Sequence, residues 1–195
     1  MSVPSIKGVA FKGVVEDLEA LRACGGVSDA ELGAALSAAD RAYLEEQISP
    51  GFWYPMETYD RILALLVEKE GAPDGVAYLH ARGERAMKRM LDMGLYRQFE
   101  TIEEGWGGRV GAVMTSLGDA VYNFAHWEFQ RPDDEESAAR QFAIELREAQ
   151  AFSENALRTI EGAIAMLAAR AANGPVDVTA ERPTRDRIRI EAKRR

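Results

Sequence analysis

Apolar residues recur at every third or fourth position through most of the first 118 residues, which is the spacing of the buried face of an amphipathic helix. Breaks in this pattern separate five predicted helices, over residues 14–21, 28–47, 55–67, 76–93 and 110–121. Ser28 and Glu31 form a capping box at the start of the second helix. Gly83 lies inside the fourth, where a glycine indicates the close approach of another element. Residues 95–108 are predicted to be a linker loop anchored by Trp106.

After residue 118 the pattern changes to the period-2 alternation of strands. Phe142, Ile144 and Leu146, for example, alternate with polar residues, and Ser153 can cap a following helix. The predicted elements are strands over 122–130 and 138–148, a helix over 153–172, and strands over 176–180 and 188–192. We therefore predict an α+β fold of one domain, residues 1–195. An N-terminal helical lobe (1–118) precedes a strand-strand-helix-strand-strand antiparallel sheet unit (119–195).

Charge and composition exclude several functions. The net charge is −8 and the pI is about 5.0, which argues against nucleic-acid binding, because phosphate neutralisation needs a concentrated basic surface. No apolar stretch approaches the roughly 20 residues that span a bilayer, so no membrane association is expected. A single cysteine, Cys24, excludes an intramolecular disulfide. Without a secretory signal, the predicted location is cytoplasmic.

Candidate catalytic chemistry is sparse. Two histidines and one cysteine cannot build the usual zinc sites, although His80 and Glu84 could share a helix face. His126 and Glu128 share one face of the predicted strand 122–130. They could act as an acid–base pair, or be a solvent-facing polar pair, or place a hydrogen-bonded histidine in the core. No Gly-x-Ser-x-Gly elbow is present. We therefore expect neither an enzyme nor a metal site.

Aromatic residues are the most informative group. Residues 119–129, reading DAVYNFAHWEF, hold four aromatic side chains and one of the two histidines. The aromatics could be ordinary core, or they could line a partly open apolar pocket between the helical lobe and the sheet, the usual form of a small-molecule site. Under the second hypothesis the ligand-binding residues are Trp53, Tyr54, Tyr122, Phe124, His126, Trp127 and Phe142.

Two stretches, IKGVAFKGVVEDLEAL (6–21) and GFWYPMETYDRIL (51–63), resemble the start of the haem-NO-binding domain. They resemble more closely an uncharacterised paralogous family abundant in myxobacteria, which has a similar Trp-Tyr-Pro segment ahead of a helix. The tail from YNFAHWEF onward is similar to the strand–strand–helix–hairpin half of vinyl-reductase-like ligand domains. These groups share an α/β sensory fold, and the resemblance implies a sensory or binding role and a homodimer.

The resemblance does not extend to the haem-binding residues. The haem domains use an axial histidine and a Tyr-x-Ser-x-Arg motif that holds the propionates. The chain lacks that motif, and His80 falls too early for the axial role, so no cofactor is expected. The resulting hypothesis is a non-enzymatic small-ligand-binding or signalling domain with an aromatic-lined apolar pocket. The alternative is a protein–protein interaction module with no small-molecule ligand, which uses an exposed helix face or the final hairpin.

Overall fold

Helices precede the main sheet, which confirms the predicted α+β class. The structure, a computed structural model, describes residues 3–93, 106 and 108–195, without the side chains of 108 and 109. In chain order the described elements are β1 (Ser5–Lys7), α1 (Gly8–Ala23), α2 (Asp29–Ala35), α3 (Ala38–Glu45), β2 (Trp53–Pro55), α4 (Met56–Glu70), α5 (Gly75–Asp92), α6 (Gly108–Val121), β3 (His126–Gln130), α7 (Glu135–Arg140), β4 (Gln141–Arg147), a 3₁₀ turn (Ala149–Ala151), α8 (Glu154–Ala172), β5 (Val176–Thr184) and β6 (Arg187–Arg194). The predicted linker loop lies mostly outside the described residues.

A two-stranded antiparallel sheet joins the N-terminus to the middle of the chain. In it β1 pairs with β2, so that Ile6 lies opposite Tyr54. Ile6 also forms an isolated bridge with Tyr122, the first residue after α6. The side chain of Asn123 accepts a hydrogen bond from the Ser5 amide at 2.7 Å. These contacts fix the segment that enters the main sheet against the helical lobe.

The single helix predicted over 28–47 is wrong, because two helices, α2 and α3, occupy that stretch. Ser37 forms a second capping box with Asp40, and this local hydrogen bonding competes with a continuous helix. Asp40 is buried and also accepts hydrogen bonds from Thr58 at 2.6 Å and from two nitrogens of Arg61 at 2.8 and 2.9 Å. The break in the helix therefore positions the carboxylate that joins α3 to α4.

The main sheet is antiparallel, with the strand order β3-β4-β6-β5. Phe129, Ile144 and Ile190 lie side by side across three strands, on the apolar face that packs against α6 and α8. The opposite face is charged. The final hairpin is confirmed. In the other predicted hairpin, the two strands pair as expected. Its first strand, however, begins only at His126, and residues 135–140, capped by Asp134, form a helix before the second strand.

The contact between α5 and α8 is unusually close because both helices present glycine. A Cβ on Gly83 would come closer than 3.0 Å to the carbonyl oxygen of Thr159, and a Cβ on Gly162 would come equally close to that of His80. This confirms the close approach that was predicted from Gly83. The two backbones touch there, and the residues beside the contact surround the cavity described next.

Candidate functional site

An apolar cavity of about 70 Å³ lies among helices α1, α4, α5, α6 and α8 and the start of the main sheet. Its wall is formed by aliphatic, methionine and aromatic side chains and by small residues. Those of the helices are Ala10, Tyr59, Gly83, Ala86, Met87, Met90, Met114, Leu117, Gly118, Val121, Thr159, Ile160, Ala163, Ile164 and Leu167, and Tyr122 and Trp127 complete the wall. This is the predicted position, the boundary between the helical lobe and the sheet-containing half.

Glycines in α6 bring the aromatic part of this wall into place. The ring of Phe129 covers Gly111, and the ring of Trp127 covers Gly118, since a Cβ at either glycine would collide with the ring. Trp127 also stacks on Tyr122, with ring centroids 5.9 Å apart. Its indole Nε1 is buried, and within the described part of the chain it has no hydrogen-bond partner. The wall therefore includes an indole N–H that is unpaired within the described residues.

Two phenols add polar atoms to the apolar wall. Burial raises the pKa of Tyr59 to about 12 and raises the pKa of Tyr122 well above its ordinary value of 10.0. Both side chains are therefore neutral near pH 7, and each hydroxyl can donate one hydrogen bond. Beside them on α4, burial raises the pKa of Asp60 to about 6, although a 2.6 Å hydrogen bond from Ser153 favours its charged form.

Of the seven ligand-binding residues predicted from the sequence, Tyr122 and Trp127 line the cavity. Phe124 is adjacent, because its ring packs 6.0 Å from that of Tyr122 and 4.7 Å from that of Phe152. The structure does not bring the other four to the cavity. They are Trp53, Tyr54, His126 and Phe142.

Tyr54, Phe142 and Trp53 lie in three different environments. Tyr54 stacks on Phe11 at 4.7 Å in a separate cluster of the helical lobe. Phe142 packs against Trp106 at 5.0 Å on the sheet. Trp53 is 42% exposed, with the Lys7 ammonium group 4.0 Å above its ring. Apolar character alone could not distinguish these three environments.

His126 is exposed on the charged face of β3, because alternation along the strand turns Trp127 inward and its neighbour outward. Its Nε2 lies 3.8 Å from a carboxylate oxygen of Glu148. Glu128, the predicted acid–base partner, instead forms an ion pair of 2.9 Å with Arg147. Of the three readings of the His126–Glu128 pair, the geometry favours the solvent-facing one.

His80 lies within hydrogen-bond distance of a buried carboxylate of α8. Its Nε2 lies 3.0 Å from Glu161, a buried carboxylate that also binds Arg158 at 2.8 Å and the Ala180 amide at 3.0 Å. The network joins α5 to α8 and β5. Among the described residues, no group of three or more histidine, cysteine, aspartate or glutamate side chains could hold a metal ion. None of the described helices is long and apolar enough to cross a membrane.

Sequence analysis missed most of the cavity wall. The sequence pattern showed only the apolar spacing of a helix at Met87, Met90 and Met114. The same was true of Ile160 and Ile164 in α8. The available signal was glycine inside helices, since Gly83, Gly118 and Gly162 mark where backbones or rings approach closely. A second signal was the grouping of methionines, because their flexible side chains suit adaptable apolar sites.

Neither a protein-family model nor a curated protein matches the chain. A solved structure described as "Modulating Heme Redox Potential Through Protein-Induced Porphyrin Distortion" is similar to it, with a TM-score of 0.59. The match covers 97% of this chain and 100% of that chain at 13% sequence identity. This likeness shows a shared fold with a haem-related protein.

The described site does not fit a haem. The described lining side chains include no histidine, cysteine or cation. Methionine and tyrosine, which can also bind haem iron, are present, so size decides the fit. The cavity volume of about 70 Å³ falls below the roughly 300–1,000 Å³ of sites for drug-sized ligands. The shared fold is therefore present here with a cavity that is too small for a haem.

Proposed function

We propose that this chain is a non-enzymatic domain that binds a small apolar ligand in the cavity between α5, α6 and α8 and serves a sensory role. The observation that carries the proposal is the cavity itself, which is preformed, apolar and bordered by hydrogen-bond donors. An engineered cavity of about 150 Å³ holds benzene or xenon. A volume of about 70 Å³ therefore suits a group of only a few heavy atoms.

Two features support binding without catalysis. The polar groups in the wall are neutral phenols, one threonine and an indole, which orient a ligand but supply neither a strong base nor an activated nucleophile at pH 7. The likeness to a haem-related structure supports a ligand-binding role for the fold.

Xenon tests the proposal directly, because it occupies apolar cavities without needing a polar contact. The chain has seven methionines, and their methyl groups can be labelled with ¹³C. Xenon pressure should shift the methyl signals of Met87, Met90 and Met114, which line the cavity. The signals of Met56 and Met166 should stay in place. Equal shifts at all five, or none at the first three, would refute the proposal.

Ala86→Leu blocks the cavity from α5, and Ala77→Leu is its control. Ala86 lines the cavity, whereas Ala77 is exposed on the same helix. We expect the Ala86 variant to lose most of the xenon shift and the Ala77 variant to keep it. An Ala86 variant that retains the full response would place the binding elsewhere.

A second candidate function is a protein–protein interaction module. The observation that favours it is an exposed aromatic pair, since Phe52 is 68% exposed and Trp53 is 42% exposed. Sedimentation velocity over a range of concentrations tests for a homodimer. If the pair forms the interface, Phe52→Ser should weaken association. A parent protein that stays monomeric would remove the homodimer form of this candidate.

A further inference from the structure

We infer that the ligand of this cavity carries a carboxylate, which binds Arg89 in a groove at the mouth of the cavity; this inference rests on the proposed function. A surface groove of about 320 Å³ runs between α1 and α5. The groove and the cavity share two lining residues, Ala10 and Ala86. The two spaces therefore adjoin at these alanines, and the proposed ligand extends between them into the groove.

Arg89 is the cation of α5 that lines the groove. It lies three residues after Ala86, and residues at that spacing share a helix face. Gly13 lies three residues after Ala10 on α1, and a Cβ there would be only 3.2 Å from a guanidinium nitrogen of Arg89. The glycine thus leaves room for Arg89 to lie across α1, where the groove begins.

Among the described residues, Arg89 shares its carboxylate partner with a second guanidinium group. Arg82 is buried and forms an ion pair with one oxygen of Asp17. Arg89 reaches the other oxygen of Asp17 only at 3.4 Å, and its own side chain is 40% exposed. Two guanidinium groups therefore share one carboxylate. A second carboxylate, supplied by a ligand, would balance the cluster.

The other charged residues that line the groove are Lys12, Glu16 and Asp92. Lys12 forms an ion pair with Glu16 at 3.4 Å, so those charges offset each other. Asp92 lies a further turn along α5 and is exposed. It would repel an anion held at the outer end of the groove. The acidic group is therefore placed at Arg89, directly outside the two alanines.

The volumes of the cavity and the groove indicate how large the ligand is. The cavity alone accepts a few heavy atoms, but the cavity and groove together come within the roughly 300–1,000 Å³ that small-molecule sites occupy. The ligand class is a small carboxylic acid with a compact apolar body. Arginine suits this role because its planar guanidinium binds a carboxylate through two parallel hydrogen bonds.

The test compares 3-methylbutanoate with 3-methylbutanamide, which has the same apolar body and no charge. Each is titrated into the full chain and followed by the methyl signals of Met87, Met90 and Met114. We expect the acid to bind at least tenfold more tightly than the amide. Arg89→Gln should abolish that preference and leave the xenon shift unchanged. Lys12→Gln, which removes a paired cation from the same groove, should keep the preference.

The outcomes separate the two proposals. If xenon shifts the three methyl signals but the acid binds no better than the amide, or the Arg89→Gln protein keeps the preference, the carboxylate inference is wrong and the cavity proposal stands. If xenon, acid and amide all leave the signals unchanged, both are wrong. Loss of the preference in the Lys12→Gln protein as well would assign it to the general charge of the groove and overturn the role of Arg89.

Discussion

Replacing Asp60 with asparagine should stabilise the protein at neutral pH and leave it unchanged in acid. Burial raises the pKa of this carboxyl to about 6 in the folded protein, against an ordinary value of 3.8. Since the folded state binds the proton more tightly than the unfolded state, the free energy of unfolding falls as pH rises from about 4 to about 6. One pKa unit corresponds to about 1.36 kcal/mol, so the loss is about 3 kcal/mol.

Asparagine removes this penalty and keeps the local geometry. Its side-chain oxygen can still accept the hydrogen bond that Ser153 donates to Asp60. Urea unfolding of both proteins should therefore give similar stabilities at pH 4. At pH 7.5 the Asp60→Asn protein should be more stable by about 3 kcal/mol. Comparing the two proteins cancels the titration of every other group.

Asp133→Asn is the matched control, because Asp133 is an exposed aspartate with its side chain at the surface. It measures how far the loss of an exposed carboxylate changes stability at each pH. The reasoning about burial at Asp60 would be refuted if the Asp60→Asn protein gained no more stability between pH 4 and pH 7.5 than the Asp133→Asn protein. An Asp60→Asn protein that is less stable at pH 7.5 would show that the charged form of Asp60 is favoured by the fold.

Two further substitutions test how the helices are held. Gly83→Ala should lower the free energy of unfolding in urea by more than about 2 kcal/mol, because the added Cβ would overlap the Thr159 carbonyl. Gly51 faces open space, so Gly51→Ala should change the free energy of unfolding by less than about 1 kcal/mol. Asp40→Ala should cost about 2–3 kcal/mol, since it removes the buried acceptor of Thr58 and Arg61, although Arg61 keeps its ion pair with Glu57. Burial alone would raise the pKa of Asp40, but hydrogen bonds led by Arg61 lower it, so this stabilisation should persist above pH 4 and disappear as the pH falls well below it.

Local signals in the sequence were sufficient for most elements of the fold. The Ser28 and Ser153 caps, the interior Gly83 and the alternation of the last hairpin each depend on neighbouring residues, and the structure confirms them. The break at Ser37 was missed because the apolar stripe continues through it. What makes the break favourable is Arg61, a partner 21 residues away from Asp40.

The site was less predictable than the fold, for a geometric reason. The sequence predicted a pocket at the lobe–sheet boundary, and a cavity lined by Tyr122 and Trp127 lies there. However, Tyr54 and Phe142 are also aromatic and are buried elsewhere. Whether a buried side chain borders a void or a neighbour depends on how helices distant in sequence pack, and no local pattern records that. Arg89 was overlooked because its role depends on Gly13 of another helix.

The cavity also makes a prediction about stability, because empty space is costly. At about 24 cal/mol for each Å³, a cavity of about 70 Å³ destabilises the fold by about 1–2 kcal/mol. Leucine at position 86 would fill part of it, since Ala86 lies in the cavity wall. If the space serves a ligand, Ala86→Leu should make the protein more stable by up to about 1 kcal/mol while abolishing xenon binding. If the Ala86→Leu protein were instead less stable than the Ala77→Leu protein, the space at Ala86 would already be filled by its neighbours, and the argument for a preformed binding cavity would fail.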